Sequence, residues 1–210
     1  MDSYPLDEHD LCTVCRESMV NFDACYSFGS FDGPLQKLIH LYKYGKIESL
    51  ARPLSRLLVQ ALPACETVDM VVAMPMHWRK QWERGFNQAA LLAEPLARRL
   101  RVPLADNLRR TRYTKSQAGL DESERKANLK DSFLVRRPAI VAGKRLLLID
   151  DVFTTGATLR AASEALKKAG AARVAALTLA RVDRRSFSPS IGPRKVDTVP
   201  AAKETEGVPA

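Results

Sequence analysis

The chain has 210 residues, 46% of them hydrophobic and 27% charged, enough to bury one good-sized core and too apolar for a wholly disordered protein. No apolar run is long enough to cross a bilayer, and the opening MDSYPLDEHD is acidic where an export signal is basic and then apolar, so a cytoplasmic protein is expected. The formal net charge of +9 calls for anionic partners, but Lys and Arg are scattered in short groups at 79–80, 98–101, 109–112, 136–137 and 184–185, which suits a local anion pocket better than a nucleic-acid groove.

Residues 1–22 are polar and cysteine-bearing and read as a short appendage. Cys12 and Cys15 form a single C-x-x-C there, half of a tetrahedral zinc site that would need Cys25, His9 or a second chain to complete it; two loop thiols without metal are the alternative. Residues 24–31 read as a first strand, and Asp32, Gly33 and Pro34 signal a turn and a helix start. Leu35, Leu38, Ile39 and Tyr42 recur at helical spacing, so a helix is expected to about Tyr44, where Gly45 stops it. A second helix fits 50–62. The run VDMVVAM at 68–74, closed by Pro75, reads as a buried parallel strand. Ala89, Leu92, Ala93, Leu96 and Leu100 mark an amphipathic helix that Pro95 is expected to kink or disturb.

Residues 109–119 are basic and hydroxyl-rich and read as an exposed loop, and 121–129 as an exposed helix. RLLLI at 145–149 is a second buried strand, followed by a helix at 158–169 with Gly170 as its stop and a third strand at 174–179. Strand, helix and strand at this spacing make a right-handed βαβ unit, hence an α/β protein with a mainly parallel central sheet. Ordered structure is expected over 23–182, with 183–210 a disordered tail rich in Pro, Ser, Lys and Glu.

The chemistry concentrates in LLLIDDVFTTGAT at 146–158. The apolar residues place a strand inside the sheet, so Asp150 and Asp151 reach its carboxyl end, the edge at which open parallel sheets bind ligands. Adjacent carboxylates repel unless a cation or hydrogen-bond donors balance them, and magnesium carried by a phosphorylated ligand is a suitable cation. Thr154, Thr155, Gly156, Ala157 and Thr158 then join strand to helix with small and hydroxyl side chains, and the free amides of the helix start face an anion such as a phosphate monoester. The chain has neither a G-x-x-x-x-G-K-[ST] loop nor a G-x-G-x-x-G loop, which argues against the common nucleotide-hydrolase and dinucleotide sites.

This run resembles the 5-phosphoribosyl-1-pyrophosphate (PRPP) signature of type I phosphoribosyltransferases. DGPLQKLIHLYKYGK at 32–46, VVAMPMHWRKQWERGFNQA at 71–89 and TKSQAGLDESERKANLKDSF at 114–133 narrow the resemblance to the ComF family associated with DNA uptake by competent bacteria. The resemblance implies a type I phosphoribosyltransferase-like fold with a small hood, and magnesium-dependent transfer of a phosphoribosyl group to an acceptor with release of pyrophosphate. By the same resemblance Asp150 and Asp151 hold the ribose hydroxyls and magnesium, and Thr154, Thr155, Gly156, Ala157 and Thr158 hold the 5-phosphate. Pro75, Arg79, Arg84, Gly85 and Asn87 contact the pyrophosphate, and the basic stretch from Arg110 through Arg112, Lys115 and Gln117 is the flexible lid. The expected partner is PRPP; a non-catalytic PRPP sensor that contacts single-stranded DNA or competence proteins is the alternative, and homo-oligomer formation is left open. ComF-like chains carry two C-x-x-C pairs where this one has Met1 just ahead of a single pair, so either translation begins upstream or the zinc knuckle is incomplete.

Overall fold

A computed structural model describes residues 21–45, 47–77, 82, 85–111 and 132–182. Strand β1 (Ala24–Ser30) leads into helix α1 (Gly33–Tyr44), a 3₁₀ turn (Glu48–Leu50) and helix α2 (Ala51–Ala61). Strand β2 (Met70–Ala73) precedes helix α3 (Gln88–Leu100) and the short strands β3 (Leu104–Ala105) and β4 (Leu108–Arg110). Strand β5 (Phe133–Val135) and a second 3₁₀ turn (Pro138–Ile140) lead to strand β6 (Arg145–Phe153), helix α4 (Ala157–Lys168) and strand β7 (Arg173–Arg181).

Five strands form one sheet in the order β1-β7-β6-β2-β3, and every pair in it is parallel. The parallel sheet expected from sequence is therefore present, with β6 at its centre. Leu147 and Ile149 of β6 pack with α1, α2 and α3 on one face, while Leu146 and Leu148 pack with α4 and the β4–β5 pair on the other. A strand covered on both faces must be apolar on both, which is why LLLI is unbroken and not alternating. Burying each of these side chains fully contributes about 1.5–3 kcal/mol. Phe22, assigned from sequence to the appendage, is buried in the α4-side core.

Several elements depart from their expected form. Residues 109–110 are not loop: β4 pairs antiparallel with β5, Arg110 opposite Phe133, because Leu108 is buried and the Arg110 guanidinium lies 5.5 Å from the centre of the Phe133 ring. The remainder of that expected loop, and the expected helix at 121–129, lie outside the described residues, as do the appendage to residue 20 and the tail from 183. Helix α3 runs uninterrupted through Pro95. The missing N–H affects the Leu91 carbonyl, on a half-buried stretch of helix that water can reach, so the helix survives it. Gly45 ends α1 as expected, but in a right-handed conformation (φ −77°); a Cβ there would meet the Leu41 carbonyl oxygen at 2.6 Å.

Candidate active site

β6 extends four residues beyond the expected end of its strand, so the acid pair lies within it and not after it. Asp150 is in register with Thr178 of β7. Side chains alternate along the strand, so Asp150 follows Leu148 toward the α4 side and Asp151 follows Ile149 toward the α1 and α3 side. The alternation then slips, Val152 packing with the α1 side and Phe153 with the α4 side. The two carboxylates thus straddle the carboxyl edge of the central strand and meet different neighbours.

On one side Lys43, in the last turn of α1, places its Nζ 2.8 Å from Asp151 Oδ1. On the other, the positive charge of Arg110 acts on Asp150. The Asp151 amide donates to Asp150 Oδ1 at 2.9 Å. Burial, then the Asp151 carboxylate, pushes Asp150 up to about 7, against the opposing effects of that amide, Lys43 and Arg110. Burial draws Arg110 below the usual guanidinium range, and Asp150 opposes the shift. Tyr42, buried and near Asp151, is held above the usual phenol range.

The frame around the pair is tied together by hydrogen bonds. Tyr42 Oη donates to the Gln88 carbonyl at 2.8 Å, fastening α1 to the start of α3. Asn87 caps α3, its Oδ1 accepting from the amides of Ala89 (3.0 Å) and Ala90 (3.4 Å), while its Nδ2 donates to the Met74 carbonyl at 3.1 Å. These contacts surround a cleft of about 170 Å³ that brings together Pro75, Asn87, Asp150, Asp151 and Thr158 from the sequence expectation, along with Lys43 and Arg110. Among the described residues two other clefts are larger, one of about 250 Å³ between β5 and α4 and one of about 460 Å³ between α2 and α3. Neither contains adjacent carboxylates at a strand end, so chemistry and not size selects the smaller one.

The loop after β6 has a more specific architecture than a chain of hydroxyls. Gly156 has φ +72°, and a Cβ there would come within 2.8 Å of the Phe153 ring, so both conformation and packing demand glycine. Thr155 Oγ1 accepts from the Ala157 amide at 3.3 Å, and Arg160 donates to the Thr155 carbonyl at 3.2 Å. Thr154 is exposed, and Thr158 turns into the cleft beside the acids. Gly85 is described, at φ +88°, but does not line the cleft. Arg79, Arg84, Arg112, Lys115, Gln117, Cys12 and Cys15 lie outside the described residues.

The donor set fits magnesium. Two adjacent carboxylates at the strand end offer hard oxygen ligands. Among the described residues no group of three or more His, Cys, Asp or Glu side chains could hold a metal, so the remaining ligands would be water or ligand oxygens, the habit of magnesium at phosphate sites.

Lys43 and the buried placement of Arg110 escaped the sequence expectation. Lys43 sits two residues before the Gly45 that ends α1, and its reach to Asp151 spans more than a hundred residues of chain. Arg110 was grouped with the lid because its neighbours are basic.

The model of the phosphoribosyl transferase domain matches residues 87–209 of this chain, which includes the acid pair and the loop after it. DNA utilization protein YhgH of Escherichia coli K12 is 35% identical over 180 residues, 82% of this chain and 78% of that protein. The chain belongs to the ComF family of phosphoribosyltransferase-like proteins. Competence protein F of Haemophilus influenzae, another member, is 33% identical over 178 residues, 81% of this chain and 78% of that protein. Competence protein ComFC of Bacillus subtilis is 37% identical over 117 residues, 53% of this chain and 44% of that protein. The ComF assignment and the observed sheet together bear out the type I phosphoribosyltransferase fold expected from the sequence. No helix among the described residues is long and apolar enough to cross a membrane.

Proposed function

We propose that this chain binds PRPP with magnesium in the cleft at the end of β6 and transfers its phosphoribosyl group to a nucleophilic acceptor, releasing pyrophosphate. The observation that carries this reading is the acid pair at the carboxyl edge of the central strand, joined by a glycine-hinged loop to the start of α4, in a chain with a phosphoribosyltransferase domain. Asp150 and Asp151 would hold the ribose hydroxyls and the metal. The loop of Thr154, Thr155, Gly156, Ala157 and Thr158 would hold the 5-phosphate, whose charge the first amides of α4 favour. Pro75 and Asn87 line the same cleft and, with Gly85, Arg79 and Arg84, are assigned to the pyrophosphate. Arg112, Lys115 and Gln117 are assigned to a lid.

In the reaction the bond from the anomeric carbon to the diphosphate oxygen breaks as the acceptor's lone pair forms the new bond. Bound magnesium would supply charge neutralisation to the departing diphosphate. Positive charge gathers on the sugar in the transition state, and the Asp150 and Asp151 carboxylates would favour that charge while holding the ring in place. Neither needs to move a proton.

The names of the relatives favour a second reading of the same site, in which PRPP binding regulates a protein engaged in DNA utilization or competence, without turnover. Both readings require the same first measurement. Calorimetric titration of PRPP with and without magnesium is expected to give metal-dependent binding that Asp150→Asn/Asp151→Asn abolishes. A folded wild-type protein that takes up no PRPP would remove both readings; binding without turnover against a panel of amines and bases would select the second.

A further inference from the structure

The charged groups lining the cleft balance before any ligand arrives: Asp150 and Asp151 against Lys43 and Arg110. Lys43 Nζ lies 2.8 Å from Asp151 Oδ1, and both side chains are largely shielded from water, at 17% and 15% exposure. Surface pairs in this protein look different. Arg98 and Glu94 are neighbours on one helix, exposed at 71% and 52%. Lys43 instead comes from a separate element whose end is fastened by the Tyr42 hydroxyl to the Gln88 carbonyl, so the ammonium is delivered to Asp151 by a fixed helix. Its contact is with Asp151 Oδ1, a hard oxygen of the kind a divalent cation would take.

We propose that Lys43 is a specificity-determining residue of this site: it holds Asp151 in the ligand-free protein, disfavours a bare divalent cation, and transfers its contact to the ligand's phosphate oxygens when metal and PRPP enter together. The inference rests on the PRPP reading of the site. A bare dication entering a balanced cleft brings excess positive charge and must displace the ammonium, which is then left shielded and unpaired. A metal–diphosphate complex brings its own negative charge. The ammonium it displaces gains a new partner at once, and lysine suits the exchange because it is a compact charge with three donors on a flexible stem. The charge of Arg110 acts on Asp150, so Lys43 and Asp151 are the pair that the exchange involves.

The test uses the full chain with Lys43→Met and Lys43→Arg. Free Mn²⁺ is titrated into each ligand-free protein and followed by the electron-spin signal of the unbound ion, and PRPP with magnesium is titrated in parallel by calorimetry. With the ammonium gone, Asp151 offers Mn²⁺ an oxygen that no longer has to be freed from a 2.8 Å ion pair, so Lys43→Met is expected to bind Mn²⁺ about tenfold more tightly or better than wild type. It is also expected to bind magnesium–PRPP more weakly, while Lys43→Arg keeps Mn²⁺ affinity low. Unchanged Mn²⁺ affinity in a folded Lys43→Met protein overturns the inference, as does a loss of PRPP affinity without a gain for Mn²⁺, which would make Lys43 a simple phosphate contact. Lys43→Gln takes its place if the methionine variant does not fold. The wild-type PRPP titration judges the site reading separately, since the Mn²⁺ titration needs no PRPP.

Discussion

The two edges of the central sheet both gather carboxylates and treat them in opposite ways. At the amino edge, where β1, β2, β6 and β7 begin, each acid has strong donors. Glu66 takes two hydrogen bonds from Arg173, at 2.8 and 3.0 Å, and a third from the Tyr26 hydroxyl at 2.6 Å. Asp69 is clasped by the Arg145 guanidinium and amide, and Asp23 by Lys167 and the Val174 amide. All three are held below the usual carboxylate range: Glu66 chiefly by Arg173, Asp69 by Arg145, and Asp23 by Lys167 and the Val174 amide against an opposing desolvation. At the carboxyl edge Asp150 is pushed up to about 7 by burial and by its neighbour Asp151. One edge uses charge to fasten strand starts together; the other buries a carboxylate beside a second one. An edge whose charges are unfavourable in the empty protein is the edge suited to a ligand.

Removing Glu66 should have the largest effect on stability. Its side chain is 5% exposed, and Glu66→Gln leaves the Arg173 guanidinium, 38% exposed, without its carboxylate. A fully buried pair broken in this way costs about 3–5 kcal/mol, and the exposure of Arg173 reduces that to about 2–3 kcal/mol in chemical denaturation at pH 7. Because the folded state holds the Glu66 pKa below its unfolded value of 4.5, its contribution is fully present above about pH 4.5 and fades as the pH falls through the folded value. The variant and wild type should therefore converge in acid, and PRPP affinity at neutral pH should be unchanged. A variant as stable as wild type at pH 7 would remove the claim that this edge fastens the fold.

Asp150→Asn probes the other edge and should change stability in the opposite sense. Asp150 has a folded pKa raised above the unfolded value of 3.8, so its ionisation opposes folding, increasingly so between pH 4 and pH 7. Asparagine removes the charge and can still accept the Asp151 amide. The ligand-free variant is expected to be more stable than wild type by roughly 2 kcal/mol at pH 8 and equal to it near pH 4, while metal-dependent PRPP binding is lost. Stability and binding moving together in the same direction would contradict the division between the edges.

Most of this contrast lies beyond what a sequence read alone can reveal. The βαβ core was legible because LLLI, the acid pair and the helix from Ala157 to Lys168 are consecutive, and hydrophobic pattern, strand end and helix start are local signals. The acid pair was legible for the same reason, since two aspartates after an apolar strand have no role in a core. Lys43 and Arg110 were not, because their relation to the acids depends on how α1 and the β4–β5 pair fold back over the sheet edge. Strand β4 itself was missed: three residues, two of them arginines, carry no strand pattern, and only Phe133, more than twenty residues later, explains where they pair. Gly156 was expected only as one residue of the phosphate loop, whereas its conformation and the Phe153 ring already require glycine there.

The smallest expected effect tests whether the amino edge depends on its charges or on its geometry. Lys167 and Asp23 are separated by 2.7 Å, but their side chains are 32% and 33% exposed, and water competes for both. Asp23 also accepts the Val174 amide at 2.7 Å, a bond that pins the start of β1 to β7 and does not involve the lysine. Lys167→Met should therefore cost only about 0.5–1 kcal/mol, and added salt should reduce the cost further, because an exposed pair is screened where a backbone bond is not. Asp23→Ala loses both contacts and should cost more than Lys167→Met in the same denaturation series. If the two variants were equally destabilised, the ammonium would be holding the strand start, and the amino edge would be as dependent on long-range charge as the carboxyl edge is.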